Sequence, residues 1–135
     1  MDTVEKKPNI ALDLAISIAV RIKELFDKTK ADKKGDAFYQ NVLGQISRSS
    51  SSIAANIAES NGGGHASYKF RAKALKISLG EAEETKCWVM LFTRYYPNLE
   101  SEMITEIIND LDSVILILNK SLTTITKKIN THCQS

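Results

Sequence analysis

The sequence predicts an all-α protein, an antiparallel up-down-up-down four-helix bundle, and three observations carry that expectation. Apolar residues recur at helical spacing through four segments, most cleanly from Ile104 through Leu111 and Leu118 to Ile129. Two prolines and six glycines interrupt 135 residues, too few breakers for a protein of many short strands. The four segments run roughly 22 to 32 residues each, about 35 to 45 Å of helix, so they match one another and short connections suffice to pack them side by side. At 43% hydrophobic the chain can bury a core in one domain. The expected division is a flexible charged tail over 1–7, the bundle over 8–130 and a short tail over 131–135.

The first helix is expected from Pro8, which suits an initial turn because its missing N–H has no partner there anyway, to about Thr29. Its stripe is Ile10, Leu14, Ile18, Ile22 and Leu25. Ala11, Leu12, Ala15, Ile16, Ala19 and Val20 widen the apolar surface beyond what one bundle face needs, which predicts a contact outside the bundle. A polar connector follows, and Gly35 or Asp36 caps the second helix.

That helix carries Phe38, Tyr39, Val42, Leu43, Ile46, Ile53 and Ile57 on one side, to about Glu59. Gly44 inside it predicts the close approach of another backbone, since glycine costs about 1 kcal/mol there relative to alanine. Beside the apolar stripe runs a polar row of Gln45, Ser49, Ser52, Asn56 and Glu59. Serine and asparagine are mediocre helix formers because their side chains compete for backbone hydrogen bonds, so packing must stabilise this stretch. It reads as a close helix–helix seam in which Asn56 and Glu59 hydrogen-bond across the contact.

Residues 60–67, with Gly62, Gly63, Gly64 and His65, break the helix, and Ser67 caps the third, expected from Tyr68 to Tyr95 before Pro97. The glycines ahead of Lys69 and Arg71 are of a kind that can cradle an anion, but no Gly-Lys-Ser/Thr follows, so an inter-helix loop is the expectation. Lys69, Lys73 and Lys76 share one face. Glu81, Glu83 and Glu84 then reverse the sign, against the helix dipole. Trp88, Leu91, Phe92 and Tyr95 read as a core seam. Asn98 is the expected cap of the fourth helix, with Glu100 and Glu102 in its first turn.

Eighteen basic and sixteen acidic residues leave a net charge of +2, too small to imply a polyanionic partner from composition. The distribution is uneven: residues 1–80 carry thirteen basic and eight acidic side chains, and residues 81–135 carry five and eight. Cys87 and Cys133 have no metal-ligand or disulfide-framework spacing. His65 and His132 have no ligand partner at a usable spacing, and no Glu-x-x-His pair exists for a di-metal bundle site. The serines have no convincing base beside them. Glu59 and Glu84 are the carboxylates available to pair inside the bundle, without a visible substrate pocket to serve. The expectation is therefore no catalytic residue, no metal and no cofactor. The amino terminus lacks an apolar signal core and Ile10 to Val20 is too short to span a bilayer, which predicts a cytoplasmic protein.

The stretch Ser52-Ile53-Ala54-Ala55-Asn56-Ile57-Ala58-Glu59, followed by a glycine-bearing loop, resembles the signature of the family called four helix bundle proteins or 23S rRNA intervening sequence proteins. Ser60 stands where that family usually has glycine. Leu75-Lys76-Ile77-Ser78-Leu79-Gly80 with Glu84 is similar to the family's second block, although Lys86 and Cys87 occupy the region where a second glutamate and a threonine are common. On this resemblance Ser52, Asn56, Glu59, Gly80 and Glu84 are the family-motif positions. The resemblance, which extends to accessory proteins of diversity-generating retroelements, implies a pentameric, barrel-like assembly whose partner is nucleic acid or a reverse transcriptase. The accessory proteins rely on a markedly basic surface, and a net charge of +2 departs from that.

The function expected is a non-enzymatic, homo-oligomeric binding or scaffold protein associated with the backbone of RNA or DNA. Arg48, Lys69, Arg71, Lys73 and Lys76 are its candidate phosphate contacts. The alternative is a protein-interaction module without nucleic acid, a partner of a reverse transcriptase or another protein, using the apolar surplus of the first helix or the Ser49, Ser52, Asn56 row.

Overall fold

The computed structural model describes residues 9–62, 67–99 and 101–133, the side chains of Ser101, His132 and Cys133 excepted. Pro8 and the expected 1–7 tail, Gly63 to Ala66 with His65, Glu100 and residues 134–135 lie outside them. Four helices follow in order: α1 (Ile10–Thr29), α2 (Ala37–Ser60), α3 (Tyr68–Tyr95) and α4 (Ser101–Cys133).

Side-chain caps start three of them by accepting an otherwise unpaired amide of the first turn. Asn9 Oδ1 accepts from Leu12 N at 3.0 Å, Asp36 Oδ1 from Tyr39 N at 3.0 Å, and Ser67 Oγ from Phe70 N at 3.1 Å. Asn98 does not cap α4, which begins three residues later. The Leu99 amide instead turns back to the Tyr96 carbonyl at 3.2 Å, so the residues after Pro97 close a turn off α3 first. Gly35 sits at φ +87°, a backbone conformation that side-chain-bearing residues avoid, and lets the chain reverse between α1 and Asp36.

Every neighbouring pair of helices is antiparallel, as specific contacts show. Phe26 stacks near Tyr39 where α1 ends and α2 begins, and Ala11 near the start of α1 shares a recess with Ile57 near the end of α2. Ser49 meets Thr85 while Ile53 meets Ser78, so α2 and α3 run opposite ways. Lys86 pairs with Asp112 and Lys128 lies over Tyr68, which fixes α3 against α4. Arg21 reaches Asp110 at 2.9 Å and closes the ring between α1 and α4. The connectivity is therefore the expected up-down-up-down bundle.

The core takes Ile18, Ile22 and Leu25 from α1, Ile46, Ile53 and Ile57 from α2, Val89 and Phe92 from α3, and Ile107, Leu111 and Leu118 from α4. Two sequence expectations are corrected. A Cβ at Gly44 would meet nothing within 4 Å, so among the described residues no backbone of another helix approaches it closely. In the aromatic run of α3 only Phe92 is buried, because Trp88, Leu91 and Tyr95 rotate toward the rim, where Tyr95 packs edge-on to Phe38 with ring centroids 4.9 Å apart. The helices are also less equal than expected. With 20 residues α1 is about 30 Å long, whereas the 33 residues of α4 reach about 50 Å. Among the described side chains of α4 the last buried one is Leu118, and the turns beyond it form a half-exposed wall.

Candidate functional site

The polar row of α2 lands where it faces α3, and hydroxyls line the buried part of that seam. Ser49, Ser78 and Thr85 are each less than 5% exposed. Thr85 Oγ1 donates to Ser49 Oγ at 2.7 Å, and Ser78 Oγ donates across the seam to the Ile53 carbonyl at 2.9 Å. Small hydroxyl side chains let the two helix axes come close, and each buried hydroxyl has a partner, so the seam costs no unpaired polar group.

Outside this hydroxyl layer lies a small recess of about 180 Å³ lined by Gln45, Arg48, Ser49, Ser52, Glu81 and Glu84. Burial holds Glu81 above the ordinary glutamic acid range. The charge of Glu84 and a hydrogen bond shared with it push the same way, and the Arg48 guanidinium pulls back. The two carboxyl groups thus share a site three residues apart on one helix, beside one cation from the neighbouring helix. A recess of this size admits water but falls below the roughly 300–1,000 Å³ of small-molecule pockets.

Of the family-motif positions, Ser52 and Glu84 line this recess; Asn56, Glu59 and Gly80 do not. Asn56 Nδ2 donates to the Ser52 carbonyl at 2.9 Å and lies 3.0 Å from Ser52 Oγ, so its bonds stay within α2. Glu59 is exposed, which removes the expected Asn56–Glu59 pair across the contact. Nor does Glu59 meet Glu84. The Ser49–Thr85 contact sets Glu84 about level with Ser49 to Ser52, and Glu59 lies roughly two turns, about 10 Å, further along. The carboxyl partner of Glu84 is Glu81, a pairing that the i, i+3 spacing carries and that the sign reversal along α3 does not single out.

The five basic candidates do not converge on one place. Lys69, Lys73 and Lys76 are all exposed and form a ridge along the outward face of α3. Arg71 points elsewhere, half-buried in a recess at the end of the bundle. Arg48 is exposed on α2 beside the two glutamates. The sequence reading missed Lys120 and Lys128 on α4, which join Arg71 in the end recess. The signal was the length of the α4 pattern, which overruns α1 and carries basic residues past the last core position.

Among the described residues no group of three or more His, Cys, Asp or Glu side chains could hold a metal ion. Cys87 is exposed on α3 as a free thiol. No helix is long and apolar enough to cross a membrane, among the described residues.

A family model described as 23S rRNA-intervening sequence protein matches residues 8–120. The fold is similar to the crystal structure of a protein of unknown function from the S23 ribosomal protein family of Bacteroides thetaiotaomicron, with a TM-score of 0.72 and 30% sequence identity. That match covers 85% of this chain and 96% of the other. No curated protein matches the chain.

Proposed function

From the premise that this chain belongs to the 23S rRNA-intervening sequence protein family, we propose that it is a non-enzymatic, cytoplasmic, homo-oligomeric binding protein that contacts the sugar-phosphate backbone of RNA. The observation that carries this reading is the ridge of Lys69, Lys73 and Lys76. Their ammonium groups stand exposed on one face of α3, and none is ion-paired with a described residue. Such a row suits phosphates, which carry charge without sequence information. The net charge of +2 argues for assembly. Copies of the ridge on a ring, five if the family's pentamer applies, would add contacts that one subunit lacks.

A second reading, a protein-interaction module, draws on exposed apolar side chains. Ile16 and Val20 stand 48% and 52% exposed on α1, and Met90 and Tyr95 are 52% and 46% exposed on α3. These also suit contacts between copies, so the two readings are separated by the ligand.

The test is fluorescence anisotropy of a labelled structured RNA over a salt series, with light scattering of the same sample for mass. Binding should weaken several-fold per doubling of salt and be lost in Lys69→Glu/Lys73→Glu/Lys76→Glu. An oligomer that binds neither RNA nor a DNA duplex at low salt would sink the nucleic-acid reading and leave the interaction module.

A further inference from the structure

An apolar flank runs beside the lysine ridge of α3. Phe70 follows Lys69 by one residue and precedes Lys73 by three, and Ile77 follows Phe70 by seven, so the two apolar side chains line up along one side of the lysine row. Phe70 is 45% exposed and Ile77 43%. Neither serves the core, which this stretch of α3 reaches through Ala72, Ala74, Leu75 and Ser78. Among the described residues the Phe70 ring meets no other aromatic ring and no cation. The lysines do not serve the helix either. Lys69 stands in the first turn, where the helix dipole disfavours a cation, and no acidic residue of that turn offsets it. The start of α3 therefore exposes charge and an aromatic face together, and no contact among the described residues accounts for either.

Resting on the RNA-binding reading of the ridge, we propose that its ligand is a single-stranded segment of RNA, with Phe70 stacked on one base while the lysines hold the neighbouring phosphates. A duplex keeps its base faces inside its own stack and presents phosphates and groove edges, so it offers an exposed phenyl ring no partner. Every base of a single strand has a free face, and stacking accepts any of them. The site therefore selects for strandedness and not for sequence. From Lys69 to Lys76 the ridge covers about 10 Å of helix, room for about three nucleotides at roughly 3.4 Å each. Past Gly80 the outward face turns acidic: Glu83 lies seven residues beyond Lys76, with Glu84 next to it, and both are exposed. A strand advancing along α3 would bring its phosphates against these carboxylates, which limits the site to the first turns. A second copy of the chain is a poorer occupant, because seating it over Phe70 would take the flanking ammonium groups out of water.

The experiment is fluorescence anisotropy on the full chain at low salt, with a labelled oligouridylate, which stays single-stranded, and an RNA duplex of the same length as probes. Phe70→Ala should weaken the oligouridylate by about fivefold or more and leave the duplex within about twofold. Phe70→Leu keeps the apolar bulk without an aromatic face and should lose as much, whereas Phe70→Tyr should bind as the wild type does. The salt dependence should be unchanged in all three, because no phosphate contact is removed. Lys69→Gln/Lys73→Gln should weaken both probes. The ring is exposed, so the variants should melt and scatter light as the wild type does. Equal losses for the two probes, full affinity in Phe70→Leu, or a fall in mass in Phe70→Ala would overturn the stacking assignment. Both probes binding with Phe70→Ala unaffected would overturn it too and leave the backbone reading standing, whereas a wild type that binds neither probe would overturn both.

Discussion

Thr85 and Ser49 face each other across the α2–α3 seam with their hydroxyl oxygens 2.7 Å apart, and both side chains are buried. Thr85 Oγ1 also lies 2.7 Å from the Glu81 carbonyl, and Ser49 Oγ reaches the Ile46 carbonyl at 3.3 Å. The pair thus ties two helices together inside a layer that would otherwise be apolar. Thr85→Val keeps the shape and leaves Ser49 Oγ with only its 3.3 Å bond to the Ile46 carbonyl, so a loss of about 0.5–1.5 kcal/mol is expected. Adding Ser49→Ala removes the other half of the pair, and the double variant should be more stable than the sum of the single effects allows. Urea melts of the four proteins measure this. Losses that add to within about 0.3–0.5 kcal/mol would mean the two hydroxyls are energetically independent.

Tyr39 is the largest fully buried side chain near the opposite end of that seam, with Phe26, Phe92 and Tyr96 around its ring and its hydroxyl bonded to Thr29. Tyr39→Ala should cost about 3–5 kcal/mol, because neighbours held on α1 and at the end of α3 cannot collapse into the space. Tyr39→Phe should cost only about 0.5–1.5 kcal/mol, since Thr29 keeps its 2.8 Å bond to the Leu25 carbonyl. Denaturant midpoints that fell equally in both variants would place the stability in the hydroxyl and not in ring packing.

The bundle was legible because helical period survives in single residues: Ile46, Ile53 and Ile57 were read as one face and are buried together. Caps were legible where a short polar side chain stands directly before a periodic run, as at Asp36 and Ser67. Asn98 misled because a turn led by Pro97 intervenes, and a cap depends on geometry that the residue type alone does not carry. The aromatic run of α3 misled because Trp88, Leu91, Phe92 and Tyr95 do share a face at i, i+3, i+4 and i+7, but the buried face runs through Ala82, Thr85, Val89 and Phe92, so the other three fall on its flank. The site was harder still. Asn56 and Glu59 looked like cross-helix partners, yet an asparagine four residues after a serine can satisfy itself within its own helix. The end recess depends on the mismatch in length between α1 and α4, a relation between distant segments that no local pattern records.

Asp36 joins the start of α2 to the end of α3, accepting from the Tyr39 amide at 3.0 Å and from the Tyr96 hydroxyl at 3.1 Å. The amide bond first, and then the Tyr96 hydroxyl, hold its carboxyl below the ordinary aspartic acid value of 3.8, against the opposing effect of burial. A lowered folded value means that its contribution is present above 3.8 and is lost as pH falls through the folded value. Asp36→Asn keeps a good cap and removes the titration, so acid should destabilise the variant less steeply than the wild type. Parallel acid-unfolding curves would show that other carboxylates dominate there.

Glu81 works in the opposite direction. Burial foremost, then the charge of Glu84, raise its carboxyl above the ordinary glutamic acid value of 4.5, so the fold favours the protonated form. Its contribution is complete below 4.5 and declines as pH rises through the folded value, because ionisation then places two like charges beside each other in the recess. Glu81→Gln removes that charge while keeping the shape. The variant should match the wild type near pH 4, melt at a higher temperature at pH 7, and show a gap that widens between those limits. Arg48→Gln should do the reverse at pH 7, since the guanidinium is the group that offsets the paired charge. Thermal melts of the three proteins from pH 4 to 8 separate these effects, and a Glu81→Gln difference that does not change with pH would assign Glu81 a packing role only.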